Sequence, residues 1–300
     1  MLHGRMASPR KAGGLVVTHR PEVVCAAACI VGESPVWLAA RRELAMVDVH
    51  GRRVRRISWD SGEARDFVMR EQVGAVVPGG TDGDLLVFAG KDVLRLSPDG
   101  SCETLAADLP LAGLRFNDVK RGPDGRIWGG TYSRDQTAAF YRLGEDWSAG
   151  KPLIAGVGNS NGIAWDAERR SVYHVDTPRR TVTRYRYDAS YAVLSESRAV
   201  REFGEREGLP DGMCSDAEGR LWVALWGAGR VVCIDPETGD EIDEVRLPVS
   251  QPTCPAFAGD RLDTLVVTTA AHGIDLRKEP LAGATFAAHV RLRGRKPAFS

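Results

Sequence analysis

Pro123-Asp124-Gly125-Arg126 runs into Ile127-Trp128-Gly129-Gly130-Thr131, and the same phrase returns along the chain: a turn rich in charged and small residues, then a β-rich run. Ala40-Arg41-Arg42-Glu43 leads into Leu44-Ala45-Met46-Val47, Thr81-Asp82-Gly83-Asp84 into Leu85-Leu86-Val87-Phe88, and Glu168-Arg169-Arg170-Ser171 into Val172-Tyr173-His174-Val175. Ala217-Glu218-Gly219-Arg220 precedes Leu221-Trp222-Val223, and Arg261-Leu262-Asp263-Thr264 precedes Leu265-Val266-Val267. The runs begin at Leu44, Leu85, Ile127, Val172, Leu221 and Leu265, so successive starts lie 41, 42, 45, 49 and 44 residues apart. A period of roughly 40–50 residues is that of a four-stranded propeller blade. Asp-Gly and Pro-Asp-Gly turns supply the positive φ that tight hairpins need. A β-sandwich or a pair of stacked barrels would not repeat six times at one phase. The reading is therefore all-β: a six-bladed β-propeller of four-stranded antiparallel blades around a central channel. A propeller ring must close by bonding its last blade to its first. Phe286–Leu292, or the strand near Leu15-Val16-Val17, is expected to complete a blade with the opposite terminus.

The six units fill the chain, which predicts one propeller domain over residues 21–300 behind an N-terminal extension, residues 1–20. Apolar residues make up 43% of the 300, enough for a substantial core. Forty basic residues balance forty acidic ones. That leaves no general basic stripe for a nucleic-acid partner. No stretch approaches the roughly 20 apolar residues that span a bilayer, so no membrane partner is expected. The apolar run Val23–Val31 lies too far in to read as a secretory signal. Six cysteines, Cys25, Cys29, Cys102, Cys214, Cys233 and Cys254, show no CxxC pair and no zinc-finger spacing. They read as reduced structural thiols, which places the protein in the cytoplasm. Its partner is expected to be a small-molecule substrate, and its state a monomer or a small homo-oligomer.

Counting back from the β-rich runs finds oxygen-bearing side chains at one phase. Glu33 lies 11 residues before Leu44, Asn117 lies 10 before Ile127, Asn161 lies 11 before Val172 and Asp211 lies 10 before Leu221. In a closed ring, residues at that phase converge on the axis at one face. Asn-Gly and Asp-Gly are also ordinary turn pairs. Glu33 is no turn former, however, and four such residues at one phase point to a site. Two carboxylates and two amides suit a hard cation such as Ca²⁺, with Mg²⁺ or Mn²⁺ open. No His shares the phase, which argues against a zinc site of the usual N/S kind. There is no Gly-x-Ser-x-Gly elbow, so Ser34 and Ser160 read as turn residues. Trp37, Trp128, Trp165 and Trp222 read as blade core, while Trp226 is placed to face the channel mouth.

These residues resemble the family of senescence marker protein (regucalcin), gluconolactonase and luciferin-regenerating enzyme. The resemblance rests on Gly32-Glu33-Ser34-Pro35-Val36-Trp37, Arg115-Phe116-Asn117-Asp118, Asn161-Gly162-Ile163-Ala164-Trp165, Leu209-Pro210-Asp211-Gly212-Met213 and the closing Pro280–Phe286. It implies one divalent metal in the channel, most often calcium and sometimes zinc, held by Glu33, Asn161 and Asp211. It further implies that Arg115 and Asn117 bind substrate and that Asp118 shapes their loop. Asp135 in the following loop would be the substrate-facing acid. The implied activity is a metal-dependent lactonase that hydrolyses a sugar lactone to its aldonic acid, with Asp211 as general base. The alternatives are another hydrolysis on the same platform, such as phosphotriester cleavage, or calcium binding without turnover. Val119, Gly122 and Tyr132 depart from the family pattern. They bear on the substrate range and leave the implied ligands intact.

Overall fold

A computed structural model describes residues 19–80, 83–191 and 193–295. Strand β1 (Glu22–Cys25) pairs with the far end of the chain. The first blade then holds β2 (Gly32–Leu38), β3 (Glu43–Asp48), β4 (Arg53–Ser58) and β5 (Ala64–Val68). The second holds β6 (Val73–Pro78), β7 (Leu85–Ala89), β8 (Asp92–Leu96) and β9 (Cys102–Ala106). The third holds β10 (Arg115–Arg121), β11 (Ile127–Tyr132), β12 (Ala138–Arg142) and β13 (Ile154–Val157). The fourth holds β14 (Ser160–Asp166), β15 (Ser171–Asp176), β16 (Thr181–Tyr187) and β17 (Leu194–Glu202). The fifth holds β18 (Leu209–Ser215), β19 (Leu221–Trp226), β20 (Arg230–Ile234) and β21 (Glu241–Arg246). The sixth holds β22 (Pro252–Ala258), β23 (Thr264–Thr269) and β24 (Thr285–His289), and β1 is its fourth strand. The molecule is a six-bladed β-propeller of four-stranded antiparallel blades.

Burial explains why the period was visible. The second strand of each blade is covered on both faces, so β7 and β15 are buried at every residue and read as unbroken runs rather than alternating ones. Outer strands such as β9 and β17 are largely exposed. The hairpins between first and second strands turn through left-handed residues, at Gly125 (φ 77°) but also at Arg42 (φ 50°) and Arg170 (φ 48°). Trp128 and Trp222 are fully buried between blades.

Closure joins the two ends of the chain. Glu22, Val23 and Cys25 of β1 face Ala287, Phe286 and Thr285 of β24. The expected stretch after the sixth repeat does close the ring, and its partner is Glu22–Cys25. Leu15-Val16-Val17 lies outside the described residues. His19, assigned to the extension, is buried and bonds Asp243 at 2.9 Å and the His289 carbonyl at 3.1 Å. Blade six is tied to blade one by Thr253 Oγ1, which donates to the Gly32 carbonyl at 2.5 Å. No helix among the described residues is long and apolar enough to cross a membrane. All six cysteines are free.

One irregularity positions the site. Each innermost strand breaks register near its start: between Glu33 and Val36, Val73 and Ala75, Phe116 and Val119, Asn161 and Ile163, Pro210 and Met213, and Pro252 and Pro255. A bulge leaves residues out of the ladder and re-aims their side chains. Six bulges stand at one phase, and residues at or beside five of them line one cavity. Gly162 shows the constraint: its φ is 29°, and a Cβ there would lie 2.7 Å from the Asp211 carbonyl oxygen.

Candidate metal centre and substrate pocket

The bulges open onto a cavity of about 650 Å³ at one end of the channel, lined by Glu33, Arg115, Asn117, Asp118, Asn161 and Asp211 among others. Its size falls within the range of small-molecule sites. The four residues at the shared phase therefore meet in one cavity, each delivered by the innermost strand of a different blade.

A directed chain of hydrogen bonds fixes the amides. Arg115 Nη1 donates to Asn117 Oδ1 at 2.7 Å and to the Phe116 carbonyl at 2.7 Å. Asn117 Nδ2 donates to Asn161 Oδ1 at 2.7 Å and to the Ser160 carbonyl at 3.0 Å. Asn161 Nδ2 donates to Thr177 Oγ1 at 2.8 Å, and that hydroxyl donates to the Pro210 carbonyl at 2.8 Å. Since Thr177 takes the Asn161 NH₂, the Asn161 amide oxygen faces Asn117 and keeps a second lone pair. Arg115 also lies over the Tyr132 ring, 5.0 Å from its centre. Glu33 Oε2 accepts from Ser34 N at 2.7 Å. Ser34 itself, at φ 51°, exchanges two 3.1 Å bonds with the backbone of Val76 and so pins blade one to blade two.

The carboxylates are electrostatically unsatisfied. Burial, with Asp118 close by, pushes Glu33 up to about 8. Burial, then Glu33 and Asp118, holds Asp211 well above the usual carboxylate range. Asp118 is raised by burial against the pull of Lys120 and of the Ile163 and Val119 backbone N–H groups, and its buried oxygens have no side-chain donor. Burial lowers Arg115 to about 10, opposed by Tyr132 and Glu33. Three acids thus face two bases, Arg115 at the cavity and Lys120 further along β10. Two crowded carboxylates, a buried third without a side-chain donor and an amide oxygen with a spare lone pair fit an added cation that prefers oxygen. Among the described residues no three His, Cys, Asp or Glu side chains gather as a metal-binding group. Neutral oxygens such as that of Asn161 must complete the set.

Other expected residues are placed differently. Asp135 is exposed and does not line the cavity; its Oδ1 accepts from Thr137 Oγ1 at 2.7 Å. Ser133 Oγ accepts from Thr137 N at 2.8 Å and Ala138 N at 3.0 Å, which folds the loop back on itself, and Arg134 lines the cavity instead. His174 bonds Ser160 Oγ at 2.7 Å, but both are buried and neither lines the cavity. Burial lowers His174 to about 3. Trp226 faces the mouth as expected.

His50 and His272 line the mouth and were not expected there. Their rings meet edge to face at 5.1 Å. Burial, His272 and Arg115 together lower His50. A second phase could have revealed this rim. Tyr132, Thr177 and Trp226 each stand five residues after the starts of their blades' second runs, and His50 and His272 stand six and seven after theirs.

The family model described as the SMP-30/Gluconolactonase/LRE-like region matches residues 31–271. The chain belongs to this family. Among curated SMP-30/gluconolactonase relatives, it is 35% identical over 275 residues to a protein of Bacillus subtilis (strain 168) named "Putative sugar lactone lactonase YvrE", covering 89% of this chain and 94% of that one. It is 37% identical over 268 residues to regucalcin of Danio rerio, covering 85% and 89%. Among solved members, regucalcin from Agrobacterium tumefaciens, described as a calcium-binding protein, superposes with a TM-score of 0.86 at 25% identity over 96% of this chain and 99% of that one.

Proposed function

We propose that this protein is a metal-dependent lactonase that opens a sugar lactone to its aldonic acid. The observation that carries the reading is one cavity lined by Glu33, Asn161 and Asp211 next to Arg115 and Asn117. A divalent cation held by Glu33, Asn161 and Asp211, most naturally Ca²⁺ for an all-oxygen set, would polarise the lactone carbonyl and stabilise negative charge on its oxygen. Arg115, bonded to Asn117 Oδ1 at 2.7 Å, presents its guanidinium to the substrate's oxygens, and Asn117, whose two N–H groups are taken by Asn161 and Ser160, offers its Oδ1 to a substrate hydroxyl. Asp211 accepts the proton of the attacking water on the oxygen not used as a ligand. A carbon–oxygen bond forms to water, the ring carbon–oxygen bond breaks, and the departing alkoxide takes up the proton to give the hydroxy acid. Arg115 favours an enzyme over a simple ion binder, because a guanidinium close enough to feel Glu33 weakens cation binding, a cost that a substrate contact would offset.

The test is a panel of five- and six-membered sugar lactones, assayed with Ca²⁺ and with chelator. Turnover that disappears with chelator and returns with cation is expected; equal rates in both conditions would remove the metal from the reaction. In the same assay Asn117→Ala lowers kcat/KM about tenfold through loss of one substrate hydrogen bond and of the acceptor that holds Arg115 in place, while cation binding persists. An unchanged kcat/KM would place the substrate elsewhere.

A further inference from the structure

Beneath the carboxylates stands a cation that the proposed reaction does not use. Lys120 lies on β10 three residues beyond Asn117, is half-buried, and does not line the cavity. Its Nζ donates to the Ile163 carbonyl at 2.9 Å and to the Met213 carbonyl. Those carbonyls belong to β14 and β18, each two residues past Asn161 and Asp211. The ammonium is therefore clamped between blades four and five, immediately deeper in the channel than the site. Burial alone would lower it, but Asp118, then Cys254, Cys214 and Glu33, outweigh burial and hold it above its ordinary value, so it stays charged. A positive charge fixed there acts on anything that binds among Glu33, Asp118 and Asp211.

Granting the cation site proposed above, we propose that Lys120 determines the charge of the ion selected: its fixed ammonium holds the site to divalent cations and penalises trivalent ones. The repulsion between Lys120 and a bound ion grows with the ion's charge, so a trivalent ion pays half as much again as a divalent ion at the same place. Size and oxygen preference are nearly the same for Ca²⁺ and the lanthanides, so the ratio of their affinities isolates charge from shape. Asp118 acts in the opposite sense, because its buried carboxylate has only backbone N–H groups beside it, those of Ile163 and Val119, and adds attraction that favours the higher charge.

The experiment uses the full chain, with Ca²⁺ binding followed by calorimetry and Tb³⁺ binding by competition and luminescence. Lys120→Met raises the preference for Tb³⁺ over Ca²⁺ by about tenfold or more. Asp118→Asn lowers it by a similar factor, and the double variant returns it close to the wild-type ratio. A purely structural lysine would weaken both ions together and leave the ratio unmoved. A ratio within threefold of wild type in natively folded Lys120→Met overturns the proposal. If that variant does not fold, Asp118→Asn decides: an unchanged or increased Tb³⁺ preference overturns it. Wild-type protein that binds neither ion removes the cation site itself, and this proposal with it.

Discussion

Asp211→Asn lowers lactone kcat/KM by about 10³-fold or more and removes cation binding in the same step, yet leaves the metal-free protein at least as stable as wild type. The first two effects follow from the two roles proposed for one carboxylate, as ligand and as proton acceptor. The third follows from its surroundings. Asp211 is raised by burial and by Glu33, so in the absence of a cation it costs the fold energy rather than contributing it. Asparagine has the same shape without the charge. A thermal melt with and without Ca²⁺ separates these terms. Wild type is expected to show a Ca²⁺-induced rise in Tm that disappears in the variant, while the chelated Tm does not fall. A variant that keeps full activity and its Ca²⁺-dependent Tm would refute the site, and one that simply melts early would make Asp211 structural.

Lowering the pH from 8 to 6 weakens Ca²⁺ binding by about tenfold to a hundredfold, and binding at neutral pH releases protons. Glu33 in the metal-free fold sits at about 8, against 4.5 for an ordinary glutamate. A carboxylate raised on folding adds stability that is complete below its unfolded value and is lost as pH rises through the folded one. The metal-free protein therefore loses stability between pH 4.5 and 8 from this group. A cation requires the ionised carboxylate and must expel its proton, so affinity climbs over the same window. Calorimetric titration in buffers of different ionisation enthalpy measures the released protons directly. Binding that is independent of pH and of buffer would show that Glu33 is not displaced from its proton, and hence is not a ligand.

The architecture was legible because second strands lie between blades and carry unbroken apolar runs. Leu44, Leu85, Ile127, Val172, Leu221 and Leu265 each fall within one residue of an observed strand start. The convergence of Glu33, Asn117, Asn161 and Asp211 was legible for the same reason, since their phase is tied to those strands. The bulges were not, although they hold Asn117 and Asp211 out of the ladder and begin right after Glu33 and Asn161. An extra residue in a ladder leaves no mark in hydrophobic pattern. Closure by Glu22–Cys25 was obscured because Val23-Val24-Cys25 runs into Ala26-Ala27-Ala28 without a turn signal. Asp135 was misplaced because a short loop's direction is set by its own hydrogen bonds, here those of Ser133. His50 and His272 were missed because they extend from the ends of second strands, a phase outside the one that holds the carboxylates.

Diffraction from crystals soaked in Ca²⁺, or in Mn²⁺ for its anomalous signal, bears most directly on the centre of this account. One peak is expected at the mouth of the channel, with oxygens of Glu33, Asn161 and Asp211 all within about 2.6 Å of it. A peak away from these three side chains, or none at cation concentrations that restore turnover, would contradict it.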